Sequence, residues 1–270
     1  MRIDVYLVEN QLAPSRTRAR ELIEQGRVVK IDQFDRIVFK KASQLVDLKN
    51  DERIEVTPDS ELDRFVSRGG FKLLGALQRT RLEVHDAVVL DVGISTGGFS
   101  DCLLQCGARR IVGVDVGHGQ LAEKLRADSR VTLYEGVNAR DLTKVDLIEA
   151  SDHEGFDLIV MDISFISQTL VLPGLLQYLK EGDGKVPSRI LSLVKPQFEV
   201  GKQGLGKNGI VKDPTLYLGV QEKMRQACQD SGLVMEDYFE STIQGSDGNK
   251  EFFFLAKRDG HSLRRGGAGD

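Results

Sequence analysis

The sequence predicts an α/β protein in which helices cover both faces of a parallel sheet, preceded by a small α+β domain. From about residue 65, five apolar runs rich in Val and Ile alternate with helix-like segments, which is typical of repeated β-α-β units. These runs are nearly continuous in apolar residues, as strands buried on both faces require. Before residue 60 the elements are shorter and more polar. Pro58, Asp59 and Ser60 separate the two patterns and predict a domain boundary near residue 60.

The N-terminal domain, residues 1–60, has the pattern of two helices followed by short strands. Ser15 has the side chain of an N-cap for a helix that carries Ala19, Leu22 and Ile23 on one face. Gly26 is expected to end that helix, because glycine adopts the left-handed conformation that a C-terminus often needs. Residues 61–68 are predicted to link this domain to the second one.

The second domain is predicted to span residues 69–258. Its parallel strands are expected at residues 87–92, 111–116, 131–135, 156–162 and 189–194. Two further segments, residues 234–244 and 249–258, are close in sequence and predict an antiparallel pair at the edge of the sheet. The last segment, residues 259–270, is predicted to be a disordered tail.

The totals describe an ordinary globular chain of 270 residues, 40% hydrophobic and 29% charged. The most apolar stretch is interrupted by Asp162, and the N-terminus lacks the hydrophobic region of a signal peptide. We therefore expect a cytoplasmic protein. Cys102, Cys106 and Cys228 have no accompanying His or Cys cluster, so we expect structural thiols and no metal site.

The charge is distributed unevenly along the chain. The net charge is −4, but residues 1–81 hold 16 of the 37 Lys and Arg against 13 of the 41 Asp and Glu. The first part is therefore net basic by three and the remainder net acidic by seven. A basic module on an acidic body favours a nucleic-acid partner for the N-terminal domain.

A glycine-rich loop follows the first long strand, in the sequence "AVVLDVGISTGGFSDCLLQCG" at residues 87–107. It is not the dinucleotide motif, because Ser95 stands at the second glycine position, and it lacks the Lys-Ser/Thr of a P-loop. Asp91 precedes the loop, and its negative charge suits a cationic ligand better than a pyrophosphate. The candidate cofactor-binding positions are Asp91, Gly93, Ser95, Thr96, Gly97 and Gly98.

The next two strands end in side chains that could complete such a site. Asp115 ends its strand where a carboxylate accepts hydrogen bonds from both hydroxyls of a ribose. Asn138 follows the third strand and could read an adenine edge. Together these positions resemble the S-adenosylmethionine site of Rossmann-like class I methyltransferases. The alternative is that they are turn glycines and strand-end aspartates of some other α/β fold.

Four charged residues are predicted to meet at the carboxyl rim of the sheet. Asp162 and Lys195 each end a buried strand, and adjacent parallel strands end at the same edge. Lys72 lies on a helix that could fold over that edge, and Glu251 precedes the aromatic run of the last strand. Each alone could be a solvated surface charge, whereas the four together favour a reaction centre.

Lys72, Asp162, Lys195 and Glu251 match, in order and context, the K-D-K-E tetrad of FtsJ-like 2′-O-ribose methyltransferases. The segments "VSRGGFKL", "LDVGISTGGFSD", "MDISFIS" and "LVKPQFEVG" narrow the resemblance. With an N-terminal module similar to the RNA-binding domain of ribosomal protein S-four, residues 2–256 resemble the TlyA family, rRNA cytidine 2′-O-methyltransferases sometimes labelled haemolysins. One departure is Phe65, where some members carry tryptophan.

The resemblance implies methyl transfer from S-adenosyl-L-methionine to a cytidine 2′-hydroxyl in ribosomal subunits, of the large and possibly also the small kind. It implies Lys195 as the general base, with Asp162 also near the cofactor. An unperturbed lysine has a pKa of about 10.4, too high for a base at neutral pH. A nearby Lys72 would lower the pKa of Lys195, whereas Asp162 and Glu251 would oppose that change, so the sequence leaves the choice of base open.

The RNA is expected to meet basic residues of the N-terminal domain, the linker and a glycine- and lysine-rich loop at residues 199–213. That loop is predicted to be a flexible lid. Few exposed aromatic residues are evident, so contacts to phosphates should outweigh base stacking. The alternative for the N-terminal residues is an ordinary charged helix face. The predicted RNA-binding residues are Arg2, Arg16, Arg18, Arg20, Lys30, Arg64, Arg68, Lys202 and Lys207.

Three other functions compete with this interpretation. A haemolysin would need a membrane-active segment, which the sequence does not contain. A non-catalytic ribosome-binding factor predicts a broken tetrad or cofactor loop, and both are intact. A small-molecule methyltransferase would have no use for an arginine-rich N-terminal module. The oligomeric state is left open.

Overall fold

The computed structural model describes residues 1–31, 36–48, 52–58, 63–151, 153–181, 188–245 and 247–259. The chain divides into two compact units, Met1–Ser67 and Arg68–Asp270. Residues 61 and 62 of the predicted linker lie outside the described ranges, as does the predicted tail from residue 260 onward. No helix within the described ranges is both long enough and apolar enough to cross a membrane.

The N-terminal unit contains two helices and a small sheet. Its elements are α1 (Ile3–Glu9), α2 (Arg16–Glu24), β1 (Val28–Ile31), β2 (Arg36–Val38) and β3 (Arg53–Val56). All pairings are antiparallel, in the order β2-β1-β3. The predicted succession of helix, helix and strand is confirmed.

Local chemistry sets the ends of α2. The Ser15 hydroxyl accepts a hydrogen bond from the backbone amide of Arg18 at 3.2 Å, which satisfies one free donor of the first turn. Gly26, with φ +69°, turns the chain out of the helix. Between these ends, the apolar face of α2 packs into the core of the unit, which includes Ile3, Leu7, Ala19, Leu22, Ile23 and Val28.

The second unit is built on one seven-stranded sheet. Its helices are α3 (Gly69–Thr80), α4 (Gly98–Gln105), α5 (Glu123–Arg126), α6 (Leu172–Leu175) and α7 (Leu216–Asp230). Its strands are β4 (Val88–Val92), β5 (Arg110–Asp115), β6 (Val131–Glu135), β7 (Leu158–Met161), β8 (Arg189–Val194), β9 (Leu233–Glu240) and β10 (Phe252–Arg258).

The order of strands fixes where a ligand can bind. The order is β6-β5-β4-β7-β8-β10-β9. The strands β4, β5, β6, β7 and β8 are parallel, and β10 pairs antiparallel with both β8 and β9. The chain reverses its direction of travel between β4 and β7, and open α/β sheets bind ligands at the carboxyl ends of strands at such a switch point. The observed pairings confirm the prediction of five parallel strands with an antiparallel pair, β10 and β9, at the edge of the sheet.

The lysine-rich loop after β8, which the sequence analysis predicts to be a flexible lid, has local structure. It contains two short 3₁₀ turns, Lys202–Gly204 and Lys207–Gly209. Buried Asn249 anchors it, because its Oδ1 accepts from the amide of Val211 at 3.0 Å and its Nδ2 donates to the carbonyl of Gly209 at 3.1 Å. The anchor lies more than thirty residues further along the chain, where composition gives no signal.

Candidate active site

The glycine loop after β4 brings its backbone close to the end of β7. Gly93 has φ +86°, and a Cβ atom placed there would lie 2.5 Å from the carbonyl oxygen of Asp162. Gly97, with φ +92°, precedes the first turn of α4, and a Cβ on it would collide with Leu125. Both positions require glycine, because a side chain would be strained by the backbone angle and would have no room.

Asp91 is completely buried beneath this loop. Its Oδ2 accepts a hydrogen bond from the Ser100 hydroxyl at 2.6 Å, whereas its Oδ1 has no hydrogen-bond partner among the described residues. Burial raises the pKa of Asp91 to about 7, and the neighbouring charges of Asp162 and Asp115 act in the same direction. An approaching cation would therefore be stabilised here.

Asp115 and Asn138 lie at the ends of the next two strands, as predicted. The two carboxylate oxygens of Asp115 accept the backbone amides of Ser95 at 2.8 Å and Gly117 at 2.7 Å. These bonds fix the carboxylate and leave lone pairs for further donors. The Asn138 carbonyl oxygen accepts from the amide of Arg140 at 3.0 Å, which fixes the orientation of its side chain.

A cavity of about 670 Å³ opens beside these residues, within the size range of small-molecule sites. Five predicted positions line it: Gly93, Ser95, Asp115, Asn138 and Asp162. Predicted positions Asp91, Thr96, Gly97 and Gly98 are not among its lining residues. Unpredicted positions also line the cavity, among them Val116, Gln120, Ala139, Arg140, Ile163, Ser164 and Phe165.

The four charged residues at the rim form two close ion pairs. The Lys195 ammonium lies 2.5 Å from Oδ1 of Asp162 and donates to the Ser164 hydroxyl at 2.8 Å. The Lys72 ammonium, on α3, donates to Oε2 of Glu251 at 2.5 Å. Parallel pairing of β7 with β8 brings Asp162 and Lys195 to the same edge of the sheet. Phe252 pairs with Val194 in the antiparallel register of β10 with β8, so Glu251, the residue before Phe252, lies at this edge too.

The charges of the Lys195–Asp162 pair affect the pKa of Glu251, which belongs to the other pair. Burial raises the pKa of Glu251, and the ammonium groups of Lys72 and Lys195 partly oppose this change. The negative charge of Asp162 raises the pKa of Glu251 further, which requires that the two carboxylates lie near one another. The rim is therefore one coupled cluster of two cations and two carboxyl groups.

Phe165 is an aromatic side chain that the sequence analysis missed. It is 91% exposed, lines the cavity, and lies three residues after Asp162. Its φ is +67°, an uncommon angle for a bulky residue, and its ring centroid lies 5.2 Å from that of Phe198. The only available signal was its position directly after a strand that ends in a functional aspartate.

The predicted RNA-binding residues of the N-terminal unit fall into two classes. Arg2, Arg16 and Arg20 are about half exposed and surround one carboxylate. Arg18 is mostly buried between Glu21 and Asp63, at 3.0 Å from each, and Lys30 pairs with Glu52 at 2.9 Å. Ion pairing within the unit therefore separates residues that the sequence grouped together.

The remaining predicted RNA-binding residues lie in different settings. The Arg64 guanidinium stacks over the Phe65 ring at 4.9 Å. In the second unit, Arg68 donates to the backbone carbonyl of Gln244 at 3.1 Å, and both Lys202 and Lys207 are exposed.

The described residues contain no group of three His, Cys, Asp or Glu side chains that could hold a metal ion. Cys102 and Cys228 are buried and Cys106 is partly buried, and burial raises the pKa of the Cys228 thiol to about 12. A thiol with so high a pKa stays protonated at neutral pH and is a poor nucleophile.

Comparison with known proteins identifies the parts of the chain. Residues 65–258 match the model of the FtsJ-like methyltransferases, and residues 1–29 match the S4 domain. A 16S/23S rRNA (cytidine-2′-O)-methyltransferase TlyA from Mycobacterium tuberculosis is 41% identical over 93% of this chain and 88% of its own length. A candidate rRNA methyltransferase, YqxC from Bacillus subtilis, is also 41% identical, over 57% of this chain and 52% of its own length.

One solved structure is similar to this protein over most of the chain. It is a candidate hemolysin from Streptococcus thermophilus, 32% identical, with a TM-score of 0.71, and the match covers 96% of this chain and 88% of that protein. The resemblance seen in the sequence motifs is thereby confirmed across most of the chain. This chain belongs to the FtsJ-like methyltransferases and, within them, to the TlyA family.

Proposed function

We propose that this protein transfers a methyl group from S-adenosyl-L-methionine to the 2′-hydroxyl of a cytidine in ribosomal RNA. The observation that carries the proposal is the pair of lysine–carboxylate contacts, Lys195 with Asp162 and Lys72 with Glu251, beside a cavity of ligand size. The activity named for the M. tuberculosis relative supports the choice of substrate. The FtsJ-like family match supports the reaction type.

The residues around the cavity fit a cationic nucleoside cofactor. The unpartnered Oδ1 of Asp91 lies in a site where burial disfavours its negative charge, so a nearby cation would relieve that cost. Asp115 would accept the ribose hydroxyls, and Asn138 would meet the base. When bound, S-adenosyl-L-methionine supplies an electrophilic methyl group on a sulfonium.

The chain's own residues supply proton transfer and alignment. A ribose 2′-hydroxyl is a weak nucleophile until it loses its proton, and Lys195 is the amine that contacts the cavity-lining Asp162. We assign to Lys195 the acceptance of that proton, in the neutral amine form that it takes after losing one proton to solvent, and to Asp162 and Ser164 the positioning of its nitrogen. Lys72 and Glu251 close the other side of the cluster and orient the hydroxyl.

The RNA-binding part of the proposal draws on both units. The S4 match, the exposed arginines before α1 and on α2, and the lysines of the loop after β8 support contacts to phosphates. The exposed ring of Phe165 supports stacking with an unpaired base near the reacting ribose. Ribosomal subunits, the large one and also the small one, are the proposed substrates, and their cytoplasmic location sets where the enzyme acts.

Two of the three rival functions explain less of the site. A membrane-active role rests on the name hemolysin carried by relatives, and it gives the rim cluster no task. A non-catalytic ribosome-binding factor has no need for an intact tetrad, yet all four side chains are present and paired. The methyltransferase uses the cavity, the tetrad and the basic residues together.

The direct test is transfer of tritiated methyl groups to unmethylated ribosomal subunits, supplied intact and as naked rRNA. We expect label in the rRNA, mapped to a cytidine 2′-hydroxyl by nuclease digestion and mass spectrometry. Label on the base instead of the ribose would contradict the proposed acceptor. Failure of the protein to bind S-adenosyl-L-methionine in calorimetry would contradict the proposed cofactor.

A further inference from the structure

The loop that follows β7 forms one wall of the cavity. It ends in a short 3₁₀ turn, Gln168–Leu170. Six consecutive residues at its start line the cavity: Asp162, Ile163, Ser164, Phe165, Ile166 and Ser167. Because this wall has no helical or strand hydrogen bonds of its own, its position depends on the side chains that hold it from outside the cavity.

The segment that begins at Lys195 holds the first half of this loop. The Lys195 ammonium donates to the Ser164 hydroxyl at 2.8 Å. Three residues further on, the ring of Phe198 lies against that of Phe165, with 5.2 Å between the two centroids. These two contacts are partly open to solvent, since both Ser164 and Phe165 are exposed.

Glu199 holds the second half of the loop through a buried contact. Its side chain is only 1% exposed. Its Oε2 accepts from the Ser167 hydroxyl at 2.6 Å, and its Oε1 accepts from the backbone amide of Gln168 at 2.8 Å. Lys223, on α7, donates to Oε2 at 2.7 Å and to the backbone carbonyl of Glu199 at 3.1 Å. One carboxylate therefore joins the cavity loop, the segment after β8 and α7.

Gln168 extends these contacts into β8. It is buried, its Nε2 donates to the backbone carbonyl of Leu193 at 2.6 Å, and its Oε1 accepts from the Ser192 hydroxyl at 2.8 Å. Ser192 and Leu193 lie three and two positions before Lys195. The end of the cavity loop is therefore attached to the strand that carries the proposed proton acceptor.

Stability alone is a poor explanation for a buried ion pair at this place. Moving a carboxylate and an ammonium out of water costs free energy, and apolar side chains of similar volume often give equal or greater stability. The carboxylate of Glu199 instead supplies direction, because its hydrogen bonds require donors in defined positions. Glu199 is not among the residues that line the cavity, so it can act on the reaction only through the loop.

We propose that Glu199, paired with Lys223, is a positioning residue for methyl transfer. It fixes the loop in the place where Ser164 accepts from Lys195 and Phe165 stands beside the cavity. The inference rests on the proposed function, because it gives this loop a role in the same reaction. It adds that the rate depends on a carboxylate outside the cavity.

Single-turnover methyl transfer to unmethylated ribosomal subunits tests the effect on the rate. With both substrates saturating, and below the melting temperature of each variant, we expect Glu199→Ala to lower the rate about 10- to 100-fold. Its affinity for S-adenosyl-L-methionine in calorimetry should stay within about threefold of the wild type, because Glu199 does not line the cavity. A wild-type rate, or a deficit that disappears at higher substrate concentrations, would overturn the inference.

Glu236→Ala is the matched control. Glu236 pairs with Arg189 at 2.5 Å, at the opposite end of β8 from Lys195, and its side chain is 23% exposed. The substitution removes an ion pair from the same strand without touching the cavity loop. We expect the wild-type rate. An equal loss of rate in this variant would attribute the effect to general loosening of the sheet and would contradict the proposed role of Glu199.

A double variant tests whether hydrogen bonds, rather than charge, position the loop. In Glu199→Gln, Lys223→Met the new amide can accept from the backbone amide of Gln168 and donate to the Ser167 hydroxyl, which can itself donate to Thr169 at 2.9 Å. The methionine removes the ammonium that would otherwise face this amide. We expect a rate within about threefold of the wild type. A double variant as slow as Glu199→Ala would refute positioning by hydrogen bonds.

Fluorescence separates this inference from the proposed function. The chain contains no tryptophan, so Phe165→Trp places a single indole on the loop. In that background, Glu199→Ala should increase the fast local motion of the indole in time-resolved anisotropy, and Glu236→Ala should not. An unchanged decay in the Glu199 variant would overturn the inference in an active protein. A wild type that methylates no RNA would overturn the proposed function and the role of Glu199 in it, whereas the anisotropy would still decide whether Glu199 holds the loop.

Discussion

The rim of the sheet and the arginine cluster of the N-terminal unit differ in the ratio of basic side chains to carboxylates. At the rim, two lysines meet two carboxyl groups in pairs 2.5 Å apart. Around Asp4, three arginines meet one carboxylate. A balanced cluster holds its side chains in place and can pass a proton within itself, whereas an unbalanced cluster keeps an attraction for an external anion. The ratio of positive to negative side chains, more than their number, sets which of these two properties a cluster has.

The largest expected effect comes from removing the proton acceptor of the balanced cluster. Lys195→Met deletes the amine and should lower the single-turnover rate of methyl transfer by about 10²–10⁴-fold. Calorimetry should show cofactor binding within about twofold of the wild type, because the residues that line the cavity are unchanged.

Lys250→Met is the matched control for this substitution. Lys250 is exposed, pairs with Glu240 at 2.9 Å and immediately precedes Glu251. Its replacement should leave the rate nearly unchanged. A wild-type rate in Lys195→Met would assign the proton transfer to another group. It would contradict the claim that the rim cluster differs from the arginine cluster by carrying out proton transfer.

The second substitution removes one carboxyl group from the rim, so that two lysines face a single aspartate. Glu251→Ala leaves the buried Lys72 ammonium without its partner and should cost about 3–5 kcal/mol in the free energy of unfolding, measured with urea. The double variant Lys72→Met, Glu251→Leu should recover most of that stability and none of the methyl transfer. Equal stability losses in the single and double variants would show that packing, rather than charge balance, holds this pair.

The pH dependence of stability tests the buried carboxyl below the glycine loop. The folded pKa of Asp91 is about 7 and its ordinary value is 3.8, so the unfolded chain binds fewer protons between these pH values. This residue's contribution therefore lowers the stability of the wild type as pH rises from about 4 to about 7. Asp91→Asn removes that loss, and its advantage should grow across this window to at most about 4 kcal/mol.

Urea unfolding of the wild type and Asp91→Asn at about pH 5 and about pH 8 measures this difference. Other titrating groups are common to both proteins and cancel in the subtraction. A difference that does not change with pH would contradict the raised pKa of Asp91.

The smallest expected effect concerns the exposed ring beside the rim. Phe165→Asn should change the free energy of unfolding by less than about 0.5 kcal/mol, because the side chain is 91% exposed and asparagine tolerates its positive φ. Methyl transfer at low RNA concentration should fall about tenfold, since stacking on a base is worth about 1–3 kcal/mol. Phe165→Tyr should retain the activity, and a loss in both variants would contradict stacking as the cause.

The sequence was sufficient for features that follow from local pattern. Continuous apolar runs located all five parallel strands, because a strand buried on both faces has few polar positions. Asp162 and Lys195 could be placed together because neighbouring parallel strands end at one edge. The run at 156–162 was longer than its strand, since Phe156 forms an isolated bridge with Leu179 instead of extending β7.

Other features depend on contacts that no local rule determines. Lys72 and Glu251 are 179 residues apart, and the sequence analysis placed both at the rim without predicting that they pair with each other. Asp4 has the position of an acid that stabilises the start of a helix, and only the approach of α2 turns it into the centre of three arginines. The left-handed backbone of Phe165 opposes its own preference and is imposed by its surroundings.

Gly93 has a consequence that extends across the site. A Cβ there would lie 2.5 Å from the carbonyl oxygen of Asp162. The loop that lines the cavity and the backbone of Asp162, whose side chain pairs with Lys195, therefore lie too close together to admit a side chain. The methyl group of an alanine at position 93 would push apart the backbone of Asp162 and the loop that faces the cavity. The wall of the cavity and the aspartate that pairs with Lys195 therefore share one backbone contact, and a substitution of Gly93 would displace both.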